Sequence, residues 1–175
     1  MPFEGGRKER ENTMSQLVAL DVQDKFDKGF ATIRGIIEVF PDDKWCVPHG
    51  DDFYVACRIC YHLAIFIDGM IAGGTSSPDF AANLPFGNWS EAAAESLPDK
   101  QTFLKYFDEA VARAKAVLEK LTDEELTAAL PEENARFGKT RVGMYLHFIR
   151  EMTAHTGELN KMLNENGLDD VWISR

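Results

Sequence analysis

The chain has 175 residues, 45% apolar and 27% charged, which is enough to bury one core in a single domain of ordinary globular balance. A net charge of −10 and a pI near 4.8 speak against nucleic acid and against an anionic membrane surface, both of which need a basic face. No apolar run reaches the length of a membrane span, the start has no apolar signal core, and three cysteines suit a reducing compartment, so the expectation is a cytoplasmic protein.

Residues 1–12 are polar and contain glycine, which predicts a flexible N-terminal arm ahead of one domain over 13–175. A helical pattern then runs from about Met14 to Phe40. Leu17, Leu20, Val22, Phe26, Phe30, Ile33, Ile36, Ile37 and Phe40 recur mostly three and four apart. Gly29 and Gly35 either weaken it or permit close packing, and Pro41 stops it. Pro41 to Asp52 reads as a turn-rich connector. A second helix is expected from about Asp52 to Ile71, with Asp51 or Asp52 as N-cap. Phe53, Ala56, Ile59, Leu63, Phe66 and Met70 form its apolar face, with His62 on the border. Ala72 to Pro98 is rich in glycine and proline and reads as a long crossover, with one short helix near Ser90 to Ser96.

A third helix is expected from Asp99 to Lys120, carried by Phe103, Leu104, Phe107, Val111, Ala114, Val117, Leu118 and Leu121. Thr122-Asp-Glu-Glu125 has capping-box spacing. Pro131 to Lys139 is a connector, and a fourth helix begins near Thr140 and ends at Asn166-Gly167, where glycine suits a left-handed C-cap. Val171, Trp172 and Ile173 make the tail apolar enough to dock. No strand signal stands out. Four long helical patterns and one crossover predict an all-α four-helix bundle. Phe40 to Trp45 and Leu121 to Leu126 form a faint internal repeat, an acidic turn after a helix in each half.

The chemistry concentrates on the last helix. His147, Glu151 and His155 lie at i, i+4 and i+8, so they project from one face. Met144, Phe148, Met152, Leu159 and Met162 share that face, which should look inward. Buried imidazoles and carboxylates are costly unless something satisfies them. A metal does so if a third ligand comes from a facing helix. His62 with Glu151 and His155 makes a two-histidine, one-carboxylate set that suits zinc, iron or nickel and leaves positions open for water or substrate. The alternative is a pair of core-edge histidines bonded to carbonyls or to Glu151. His147 is a fourth ligand or a hydrogen-bonding neighbour. His49, in a connector, is expected in solvent. Cys57-Arg-Ile-Cys60 has no second pair and reads as structural, and Asp42, Asp43, Asp51 and Asp52 read as caps and solvated turns. No P-loop, dinucleotide fingerprint or serine elbow is present.

Tyr61-His62-Leu63 on the second helix and Leu146-His147-Phe-Ile-Arg-Glu151-Met-Thr-Ala-His155-Thr-Gly157-Glu158-Leu159 on the fourth resemble the DinB/YfiT-like superfamily. The similarity covers about residues 14–166, with Trp45, Pro48 and the acidic turn Leu121 to Leu126. The resemblance implies an up-down-down-up bundle, often dimeric, with a divalent metal, usually zinc or nickel, on three histidines. By position these ligands are His62, Glu151 and His155. Glu151 thus stands where the family has histidine, and His155-Thr-Gly157-Glu158 stands where it usually has His-Arg-Gly-Gln. Family members with known activity mostly transfer low-molecular-weight thiols such as bacillithiol or mycothiol to electrophiles, or isomerise through such adducts; others are non-catalytic.

Two expectations follow. One is a metal-dependent thiol transferase or hydrolase acting on a small electrophile between the second and fourth helices, with His147 or Glu158 moving the proton. Its partners are a small-molecule substrate, a low-molecular-weight thiol and a second copy of the chain. The other is a metal-free bundle that binds or sequesters a small molecule. It expects an apolar pocket and a direct contact between Glu151 and a histidine.

Overall fold

The computed structural model describes residues 16–73, 80 and 83–173. The expected arm, residues 1–12, and Met14 lie outside the described residues, as do parts of the crossover. Four long helices surround one core. They are α1 (Leu17–Val39), α2 (Ala56–Phe66, continued by a π-helical turn over Ile67–Ile71), α3 (Lys100–Leu118) and α5 (Arg141–Glu165), with a short α4 (Asp123–Thr127) before the last. None of the described helices is long and apolar enough to cross a membrane.

The predicted stripes make the core. Val22, Phe26, Phe30, Ile33, Ile36, Ile37 and Phe40 of the α1 stripe are buried, while Leu17 and Leu20 at its open first turns are exposed. Each fully buried side chain of this size stabilises the fold by about 1.5–3 kcal/mol. Helix α1 packs on α3 and α5, and α2 packs on the same two. Contacts between α1 and α5 advance together along both chains: Phe26 meets Tyr145, and Gly29 faces Met152. Those between α2 and α3 do the same, Tyr61 meeting Tyr106 and Asp68 pairing with Arg113. Contacts between α1 and α3, and between α2 and α5, run in opposite order: Arg34 to Asp108 and Asp27 to Lys115, then His62 to His155 and Phe66 to Phe148.

The connector before α2 departs from the expectation of no strands. Pro48–His49 (β1) and Asp51–Val55 (β2) form an antiparallel hairpin that turns at Gly50, whose φ of 80° is left-handed. Helix α2 therefore starts at Ala56, with Val55 as an N-cap that makes no side-chain cap bond, and not at Asp51 or Asp52. Asp51 instead accepts from the Phe53 amide at 2.8 Å, an Asx turn inside the hairpin. Phe53 leaves the buried face and is exposed. The hairpin also brings His49 out of solvent. Its side chain is 16% exposed, lies 3.4 Å from Glu165, and packs edge-on against Phe40.

Helix ends follow local chemistry. Asp99 caps α3 by accepting from Thr102, and Thr122 with Glu125 forms the expected reciprocal capping box. Gln16 does not cap α1; Asp123 of α4 supplies that acceptor, 2.8 Å from the Ala19 amide. The short helix foreseen near Ser90 shrinks to a 3₁₀ turn over Ala94–Ser96. Gly167, with φ 74°, ends α5, and Leu168 donates back to the Leu163 carbonyl, the closing bond of a Schellman motif. The tail docks through the side chains of Leu168 and Val171, which pack against the core, and through its backbone. Asn160 accepts from the Val171 amide and donates to the Val171 carbonyl, and Ile173 donates to Thr32, while Trp172 and Ile173 stay exposed.

Candidate metal centre

Helix α5 delivers Glu151 and His155 from successive turns, and α2 delivers His62 from the facing helix. The inward face predicted for α5 holds: Met144, Phe148, Met152, Leu159 and Met162 are buried. His62, Glu151 and His155 each offer one ligand atom, and the three atoms lie within 4.8 Å of one another. The His62 and His155 rings stand nearly perpendicular with centroids 5.2 Å apart. Trp89 from the crossover and Phe66 fix the His62 ring, at 4.0 and 4.5 Å between centroids.

The hydrogen bonds divide the three groups. His62 Nδ1 is shut off from solvent and has no hydrogen-bond partner among the described residues. His155 Nδ1 lies 2.7 Å from Glu158, whose carboxylate accepts, so the ring proton sits there and Nε2 keeps its lone pair. Glu151 faces His155 Nε2 at 3.9 Å through one oxygen and His147 Nε2 at 4.0 Å through the other. Both separations are too long for hydrogen bonds. Arg150 donates to Glu151 at 2.8 Å and also approaches His147 Nδ1 at 3.2 Å. His147 therefore borders the cluster, held by Arg150 and by ring contacts with Phe137 and Phe148.

Electrostatics favour the ligating forms. Burial, helped by nearby His155, pushes the His62 pKa down to about 4, so the ring is neutral at pH 7. The Arg150 hydrogen bond, aided by His147 and His155, holds the Glu151 carboxyl below its usual range. A neutral imidazole and an ionised carboxylate are the forms a cation needs. The thiols of Cys57 and Cys60 are buried and pushed upward by that burial, which leaves them inert, as their lone pairing implied.

A pocket of about 90 Å³ adjoins the cluster. Its walls include His62, His155 and Glu158, but also Phe53 and Tyr54 of the hairpin, Arg58 of α2 and Trp89 of the crossover. Sequence reading missed these last four. Only the position of Arg58, one helical turn before His62, signalled that it could share that wall.

Histidine and carboxylate side chains from facing helices, converging on a pocket, define a helical protein built around a metal-type donor set. The family model of the DinB superfamily matches residues 25–159, and the protein belongs to that superfamily. No curated protein matches the chain.

Proposed function

We propose that the protein is a metal-dependent DinB enzyme in which His62, Glu151 and His155 hold a divalent ion, zinc, nickel or iron, and a small electrophile is attacked in the adjoining pocket by a low-molecular-weight thiol or by water. The observation that carries this reading is the convergence of His62, Glu151 and His155, with a buried ring nitrogen of His62 left unpaired among the described residues. A buried ring nitrogen with no partner is costly, and it stands in a cluster whose other members are a histidine with a free Nε2 and a carboxylate. That donor set fits a divalent ion.

When bound, the ion would supply Lewis acidity that lowers the pKa of a thiol or water. The protein's own groups do the rest. Glu158 fixes the His155 tautomer, and its carboxylate would take the proton of the thiol or water directly. Arg150 holds Glu151 in its ionised form. His147 stands beside Glu151 as a second proton acceptor at the rim. Phe53, Tyr54 and Trp89 shield the pocket from bulk water.

The same reading includes the up-down-down-up order of the family, supported by the parallel course of the α1–α5 and α2–α3 contacts and the antiparallel course of the other two. The crossover between α2 and α3, a homodimer and a cytoplasmic setting come with it. One observation favours the metal-free binder instead: Glu151 already has a hydrogen-bonded counter-charge in Arg150.

Elemental analysis decides between them. Purified protein, and protein reconstituted with zinc, nickel or ferrous iron, should carry about one ion per chain, and His62→Ala and His155→Ala should each lose it. Metal that stays substoichiometric after reconstitution would overturn the enzyme and leave the binder.

A further inference from the structure

Arg58 is a cation inside the protein, 5% exposed, one turn before His62 on α2. Its Nη1 and Nη2 donate to the carbonyl oxygens of Trp89 and Ala92, at 2.6 and 2.7 Å. These partners are neutral and leave the charge uncompensated. Its Nε–H is shut off from solvent and has no acceptor among the described residues. A buried guanidinium with a spare donor and no hydrogen-bonded carboxylate among the described residues is an expensive arrangement, one that a bound anion would relieve. Arg58 lines the pocket that His62 and His155 share. The acidic group on that wall, Glu158, is already bound to His155.

The rest of the wall selects the body of the ligand. Phe53, Tyr54 and Trp89 are aromatic, and about 90 Å³ is room for roughly three waters at about 30 Å³ each, so the ligand is small. One free N–H suits a single-donor contact with a singly charged oxyanion. It does not suit a dianionic phosphate, which would also face Glu151 and Glu158. Phe53 is exposed, sits on the hairpin, and lies over the Arg58 guanidinium at 5.4 Å. A ligand that reaches Nε would therefore displace the Phe53 ring.

We infer that the pocket takes a small organic carboxylate, its carboxylate on Arg58 and its short apolar body against Phe53, Tyr54 and Trp89. The inference names the substrate class of the proposed enzyme and rests on that proposal only for which pocket receives substrate.

The test uses the full chain, ¹⁵N-labelled, stripped of metal with EDTA and then dialysed free of the chelator. Propionate and its neutral isostere propionamide are titrated while the Arg58 Nε–Hε signal is followed. Propionate should shift that signal to saturation and bind at least about tenfold more tightly than propionamide. Tyr54→Glu sits on an exposed wall, so the fold is not at risk. It should weaken propionate about tenfold more than it weakens propionamide. Equal binding of the two probes, an unmoved Arg58 signal at saturation, or an equal effect of Tyr54→Glu on both probes would each overturn the inference. Zinc uptake by a separate portion of the same preparation is read without the probes. A chain that takes no zinc but selects propionate through Arg58 fails as a metalloenzyme and keeps this pocket chemistry. A zinc-binding chain that treats the two probes alike does the reverse.

Discussion

Glu158 occupies the position where the related pattern ends in glutamine, and its carboxylate closes on His155 Nδ1 at 2.7 Å. A carboxylate behind a ligating imidazole fixes the ring's tautomer and raises its basicity, which typically changes metal affinity by about 10–100-fold. Glu158→Gln should therefore weaken zinc by about that factor in a competition titration against a chelator. An unchanged affinity would assign Glu158 to substrate alone. At this scale the sequence was informative where helix geometry fixes spacing. Glu151 and His155 had to share a face, and His62 was the histidine that a facing helix could add, a choice that the family resemblance repeated. Arg58 and Trp89 were not legible. Arginine is expected at the surface, and a tryptophan in a crossover has no periodicity to say which helix it covers.

Among the elements, the stripes of α1, α3 and α5 were readable because their apolar residues repeat at helical spacing over five or more turns. The hairpin was not. Five residues of β2 are too few to separate alternation from the start of a helix, and Phe53 fits either pattern until Gly50 is seen to turn the chain. That misreading hid the pocket mouth, because a Phe53 on a helix would have faced the core. Two glycines of the last connector and helix now make opposite predictions. Nothing lies within 4 Å of a Cβ added at Gly157, which sits in the exposed interior of α5. Gly157→Ala should raise stability by about 0.5–1 kcal/mol through helix propensity. A Cβ at Gly138 would come within 2.7 Å of the Gly143 backbone, at the start of the same helix. Gly138→Ala should cost about 1–3 kcal/mol as the connector is pushed off α5. Urea unfolding of the two variants beside the wild type checks both signs.

For the whole molecule, the core is a single cluster shared by all four long helices, and the candidate centre is set into its edge. Its chemistry is therefore coupled to folding. In the metal-free protein the His62 pKa lies at about 4, below the ordinary 6.5. Between those values the unfolded chain binds a proton that the folded chain refuses, so stability is complete above about pH 6.5 and falls as pH drops toward 4. Below that, both states are protonated and this loss stops. Glu151, with its pKa lowered from 4.5, adds its own loss as pH falls from about 4.5 through its lower folded value. Together they should remove a few kcal/mol, of which His62 contributes at most about 3. Denaturant midpoints from pH 7.5 to 4 measure it, and His62→Gln should flatten the upper part of the curve.

Val171 of the tail is held on α5 by one primary amide. Asn160 presents an oxygen to the Val171 amide and its nitrogen to the Val171 carbonyl. Slow hydrolysis of that side chain to aspartate would keep the first contact and set two oxygens against each other in the second. An ageing chain would then begin to unzip from its C-terminal end, on the side away from the histidines.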